Sequence, residues 1–169
     1  MKSKPVYATL ELDPTARRHL FLTQGGGVDA ARRALAAEPE ADAVVLTLED
    51  LDSMQFAVRD ALATAGMDTA FYIAGPEAFV WRVTGLLRDT GIEQGRIQQQ
   101  VAGSLARRVY CVHCRTMNEN VTTTVHRCAL CGIALTVRDH FSRPLGAYMG
   151  VIVDAEAPGE VPESETLYA

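Results

Sequence analysis

Ala43-Val44-Val45-Leu46-Thr47-Leu48 is a nearly continuous apolar run followed at once by carboxylates. It is short for a helix and lacks the polar alternation of a half-solvated strand, so it reads as a strand buried on both faces, the kind found in parallel sheets. Working downstream, Asp50 or Asp52 can cap a helix that runs to about Ala65, and Gly66 supplies its stop. Ala70 to Ala74 is a further strand and Gly75-Pro76 a turn. Phe79, Val80, Val83, Leu86 and Leu87 then mark one face of a helix at 3.6-residue spacing, closed by Gly91. Arg96 to Val101 reads as a last, more polar strand. Upstream, Val6 to Leu12 and His19 to Thr23 look like strands, and Gly25-Gly26-Gly27 opens a helix across Asp29 to Ala37. Strands alternating with helices in this order predict an α/β fold on a parallel sheet.

At 169 residues the chain is long enough for a medium domain with an appended module. Its apolar share of 48% and charged share of 22% are those of a globular protein. No stretch approaches the ~20 apolar residues that cross a bilayer, and Met1-Lys2-Ser3-Lys4-Pro5 leads into no signal-type run, so a cytoplasmic protein without a membrane partner is expected. A net charge of −5 and an isoelectric point near 5.3 disfavour nucleic acid as a partner.

All four cysteines lie within 21 consecutive residues. Cys111-Val112-His113-Cys114 and Cys128-Ala129-Leu130-Cys131-Gly132 form two CxxC knuckles with thirteen residues between them, the layout of a zinc ribbon. Each knuckle aims two thiolates at one point, and four thiolates complete a closed tetrahedral site that stabilises the fold and leaves no position open for chemistry. One zinc per chain is expected, held by Cys111, Cys114, Cys128 and Cys131. Iron in a rubredoxin-like site is the alternative, because the same soft donors hold it. Only the second knuckle is followed by glycine, and aromatic residues are few nearby, which favours the ribbon. His113 and His126 flank the ligands without being needed as ligands. Ala102-Gly103-Ser104 reads as the joint between modules. The expected division is therefore 1–104 for the α/β domain, 105–137 for the ribbon, and 138–169 for a docking segment and acidic arm. Val153 to Ala169, with Pro158, Gly159, Pro162 and five carboxylates, is the arm.

The glycine turn at 25–27 stands where a helix N-terminus can hold a phosphate, but it lacks the GxGxxG spacing. The stretch Ala70-Phe71-Tyr72-Ile73-Ala74-Gly75-Pro76, followed by the helix through Leu86 and Leu87, Gly91 and Ile97, resembles the C-terminal half of the nicotinamide-binding domain of ferredoxin reductases. Ala74 stands where that family has a cysteine facing the cofactor, one strand-helix unit is missing, and the chain is too short for a complete reductase. Asp29 and Glu77 place negative charge beside the two turns that an anionic cofactor would approach. The expectation is a shortened reductase-like domain kept for its shape, with no cofactor-binding residues.

From Tyr110 onward, Cys111-Val112-His113-Cys114, Arg127-Cys128-Ala129-Leu130-Cys131, Arg138 to Arg143, Leu145 to Gly150 and Asp154-Ala155-Glu156 together resemble the DmmA-like subunit of dimethylamine monooxygenase. The resemblance implies an accessory subunit of an NADPH-driven complex that converts dimethylamine to methylamine and formaldehyde. Its partners would be a heme oxygenase subunit and a flavin or iron–sulfur reductase subunit. It assigns no catalytic residue to this chain. Arg138, Asp139, His140 and Arg143 beside Phe141, Leu145, Tyr148 and Met149 read as a docking surface or ion pairs rather than as an acid–base site centred on His140. Two readings compete with the accessory subunit: an iron electron carrier and a free-standing zinc-ribbon interaction module.

Overall fold

A computed structural model describes residues 4–49 and 51–168, and the chain divides into two units, residues 7–103 and residues 104–168 together with 4–6. In the first unit β1 (Arg18–Thr23), α1 (Gly27–Leu35), β2 (Ala43–Thr47), α2 (Leu51–Thr64), β3 (Thr69–Gly75), α3 (Glu77–Asp89) and β4 (Ile97–Val101) follow one another. The strands form a parallel sheet in the order β2-β1-β3-β4. Side chains alternate across it. Leu20, Leu22, Phe71 and Ile73 meet Val80, Val83 and Leu87 of α3 and Met54 and Val58 of α2. Phe21, Ala70, Tyr72 and Ala74 meet Ala30, Ala31 and Ala34 of α1 on the other face.

The strand buried on both faces is β3, all seven of whose residues are buried. The apolar run from Ala43 is an edge strand paired only with β1, and Val45 is 41% exposed. Composition alone cannot distinguish the two positions, because an edge strand under helices can be as apolar as a central one. Asp52 falls inside α2, while Asp50 lies outside the described residues.

Residues 7–12 form no strand. At that edge the Gln100 side-chain carbonyl accepts from Leu10 N (2.9 Å), and Gln98 both accepts from Glu11 N (3.1 Å) and donates to Glu11 O (2.7 Å). The amides of Gln98 and Gln100 thus replace a backbone ladder, which explains both their polarity and the extended look of the segment they hold, while Gln99 donates to Thr84 Oγ1 of α3 at 2.6 Å. Inside the helical layer a Cβ on Gly27 would overlap the Ala74 carbonyl, so the Gly turn is needed for α1 to lie this close to β3.

The second unit contains β5 (Arg107–Cys111), β6 (Met117–Val121), β7 (Val125–Arg127), β8 (Ala134–Ser142) and β9 (Ala147–Ile152), in the order β6-β5-β9-β8-β7. Only β5 and β9 run parallel. A boundary between 137 and 138 does not match this sheet: β8 crosses it without a break, and β9 lies between β5 and β8. Phe141, Ala147 and Tyr148 are buried in it beside Val109, Val121, Leu135 and Val137, so residues 138–152 belong to the sheet that carries the cysteines.

The end of the chain also departs from a free arm. Thr166 bridges to Thr123, Leu167 N and Tyr168 N both donate to Thr122 O at 3.0 Å, and Thr124 N donates to Glu165 O at 2.9 Å. Residues 155–165 are exposed. Proline and carboxylate content predicted poor self-packing; it could not show that backbone hydrogen bonds with 122–124 would anchor the last residues regardless of side-chain polarity.

Candidate metal centre

Two hairpins carry the knuckles. The first turns between β5 and β6, with Cys111 ending β5; the second turns between β7 and β8. Their backbones repeat one pattern: Cys111 N donates to Thr116 O and Arg115 N to Cys111 O, while Cys128 N donates to Ile133 O and Gly132 N to Cys128 O, all at 2.9 Å. The residue after each second cysteine turns left-handed, Arg115 at φ 65° and Gly132 at φ 71°. Glycine adopts that conformation without strain, whereas Arg115 accepts a small cost to complete the first turn. A missing glycine therefore did not signal a different turn.

The four sulfurs lie within 4.8 Å of one another, with Cys111 Sγ 3.9 Å from Cys131 Sγ and Cys114 Sγ 3.5 Å from Cys128 Sγ. A tetrahedron with metal–sulfur bonds of ~2.3 Å has edges of ~3.8 Å. Spacing and donor chemistry therefore suit one thiophilic ion, and the cluster is able to hold one. Cys111 and Cys128 are buried against Leu135, and Cys114 and Cys131 are half-buried. One cysteine of each knuckle thus faces inward and one outward.

Without a metal the four thiols ionise very unequally. The hydroxyl and backbone N–H of Thr116 stabilise a thiolate on Cys114 and lower its pKa to about 6. Burial raises Cys111. At Cys128 burial also acts upward, but the N–H groups of Cys131 and Leu130 outweigh it and the result is lowered. At Cys131 the N–H of Ile133 acts downward, yet desolvation and the three neighbouring cysteines drive the group up to about 12. The neighbours resist the last negative charge, and a divalent cation at their centre would remove that resistance and release protons on binding.

Asn118 is a site residue that the motif reading missed. It is buried on β6, accepts from Ala129 N at 2.8 Å and donates to Val109 O at 3.3 Å. Its amide nitrogen is also 3.7 Å from Cys128 Sγ. One side chain thus ties the first hairpin to the second knuckle and places a donor near a sulfur of the cluster. The only hint in the sequence is a polar residue within Met117-Asn118-Glu119-Asn120, too common a pattern to single out. His113 is exposed and His126 half-buried; neither belongs to the sulfur cluster.

Asp139 serves a different cluster. It accepts from Arg107 at 3.0 Å and lies 3.3 Å from Lys4 Nζ. Arg107 is 4% exposed, its guanidinium 3.9 Å from the Tyr148 ring centroid and 3.7 Å from that of Tyr168. His140, Arg138 and Arg143 are exposed. In the first unit, Asp29 pairs with Arg32 at 3.0 Å, and Glu77, buried beside the Gly75-Pro76 turn, accepts from Tyr7 at 2.6 Å.

Comparison with known proteins covers both units. Residues 37–97 match the family described as dimethylamine monooxygenase subunit DmmA-like, N-terminal domain, and residues 108–151 match the corresponding C-terminal domain. The heme-dependent oxidative N-demethylase delta subunit of Ectopseudomonas mendocina (strain ymp) is 36% identical over 160 residues, covering 92% of this chain and 91% of that protein. No solved structure matches.

Proposed function

The chain belongs to the DmmA-like family of dimethylamine monooxygenase subunits, and from that premise we propose that it is an accessory, non-catalytic subunit of an NADPH-driven dimethylamine monooxygenase. The complex would convert dimethylamine to methylamine and formaldehyde, with heme in an oxygenase subunit and flavin or iron–sulfur centres in a reductase subunit. The observation that carries the reading is the likeness, over 92% of the chain, to a delta subunit of a heme-dependent oxidative N-demethylase.

Cys111, Cys114, Cys128 and Cys131 would hold one zinc ion as a closed zinc ribbon. Bound there, zinc cross-links two hairpins and leaves no coordination position for substrate. The first unit is a shortened reductase-like domain that serves as scaffold. Its four-stranded parallel order and the internally engaged carboxylates at the two glycine turns support that role. Leu130, 70% exposed, and Val112, 40% exposed, occupy the middles of the two knuckles, and apolar tips beside a metal site support docking to another subunit. Four thiols kept free for a metal favour the cytoplasm, where they stay reduced.

Co-expression with the remaining subunits tests the proposal. Dimethylamine-dependent NADPH oxidation should require this chain, and metal analysis of the purified chain should return one zinc. Stoichiometric iron with thiolate charge-transfer absorption would establish an electron carrier instead. A chain that neither co-purifies with the other subunits nor supports turnover would be a free-standing module.

A further inference from the structure

We propose that residues 164–168 form a positioning strap for the cysteine cluster, locked by Tyr168 on Arg107. The inference rests on the reading of that cluster as a metal site. The crossover 122–124 is the segment that joins the hairpin of Cys111 and Cys114 to the hairpin of Cys128 and Cys131. The strap lies along it with bonds in both directions: Thr122 O accepts from Leu167 N and Tyr168 N, Thr124 N donates to Glu165 O, and Glu165 N donates to Thr124 Oγ1. Ser164 Oγ adds a bond of 2.9 Å to Val125 O, at the start of the short strand that leads into Cys128. From its other side the crossover is held by Val137 N, which donates to Thr124 O at 2.9 Å.

The strap also reaches the first knuckle. Arg107 begins β5, the strand that ends at Cys111, and its guanidinium is sandwiched between Tyr148 of β9 and Tyr168 of the strap. One buried nitrogen of that guanidinium, Nη1, has no hydrogen-bond acceptor, so the cation depends on Asp139 and the two ring faces. Loss of the Tyr168 ring would open one face to water and release the strap from β5. The two knuckles have no covalent link other than the crossover. Freeing it lets their separation fluctuate and allows one pair of thiolates to leave the metal before the other.

The test compares zinc-loaded full-length wild type with Tyr168→Ala, Tyr168→Phe and a chain ending at Glu163, each challenged with excess chelator. Tyr168→Ala and the truncation should release zinc about tenfold faster or more, on the scale of a desolvated cation–π contact, while Tyr168→Phe, which keeps the ring face, should release it at the wild-type rate. Cobalt-substituted Tyr168→Ala should show altered ligand-field bands at full occupancy, a change that lower stability alone would not produce. Trp81, the single tryptophan and part of the other unit, monitors folding that should not change. Equal release rates in Tyr168→Ala, the truncation and wild type would overturn the strap. A wild-type chain that takes up neither zinc nor cobalt would overturn the metal reading and the strap's role with it.

Discussion

Replacing Cys128 with Ser should unfold residues 104–168 while leaving residues 7–103 intact. Cys128 is 3% exposed, packs on Leu135, and contributes one of four sulfurs within 4.8 Å. The loss is therefore both a sulfur of the proposed metal site and a core contact. Structural zinc contributes about 10–16 kcal/mol to the folding of small metal-binding units at neutral pH, as much as or more than the whole 5–15 kcal/mol stability of an ordinary domain. Among the described residues, the buried apolar side chains of this unit larger than alanine and cysteine are Val109, Val121, Leu135, Val137, Phe141 and Tyr148, too few to replace that energy. Trp81, 6% exposed on α3, makes the experiment readable because it lies in the core of the first unit. The variant should lose zinc by elemental analysis and lose amide protection in β5 to β9, while the Trp81 fluorescence transition in denaturant keeps its midpoint within error. A Trp81 midpoint that falls together with the metal would refute the independence of the units. Retained protection in β5 to β9 without metal would refute the dependence on zinc.

Gly27→Ala should destabilise the first unit by about 1–3 kcal/mol, since the added Cβ meets the backbone carbonyl of Ala74 rather than a yielding side chain. Its Trp81 melting midpoint should fall by roughly 4–8 °C per kcal/mol. Asp139 gives a pH dependence. Burial pushes its carboxyl upward, but Arg107 and Lys4 outweigh that and hold it below the ordinary carboxylate value. Its contribution is thus present above about pH 4 and lost as pH falls through the lowered folded-state value. Asp139→Asn should melt earlier than wild type at pH 7 and converge on it toward pH 3, and a constant difference would refute the ion pair's role. Calorimetry with NADPH should show no binding in the micromolar range, because Asp29 and Glu77 set negative charge beside both glycine turns. A micromolar dissociation constant would mean that the first unit is a working nucleotide domain.

The legible features were those written in local chemistry. The α1, α3, β1, β3 and β4 segments lie within a few residues of where periodicity and glycine punctuation put them, because each has a buried face with a local period. The rank of β2 was not legible: edge or centre is decided by which strands pair with it, a long-range property. The glutamines of β4 look like a weak strand until the amides of Gln98 and Gln100 are seen to bond residues 10 and 11 and that of Gln99 to bond Thr84. In the cysteine unit the knuckles were readable from spacing, whereas Asn118 and the sandwiching of Arg107 were not. Both depend on contacts across the fold, Asn118 with Ala129 and Arg107 with Tyr148 and Tyr168.

The position of β9 has a consequence in time. Each hairpin can close as soon as its own strands leave the ribosome, but Val109 of β5 has Tyr148 of β9 as its parallel partner, and that strand is made after all four cysteines. The two halves of the sulfur cluster are therefore synthesised complete and then wait, as separate thiol pairs, for the strand that brings them into one sheet. Pairing across such a separation in sequence is slow compared with hairpin closure. During the interval each CxxC turn is a free dithiol, open to oxidation or to capture of metal by one pair alone. Metal supplied during synthesis, rather than after it, would shorten that exposure and raise the yield of correctly closed sites.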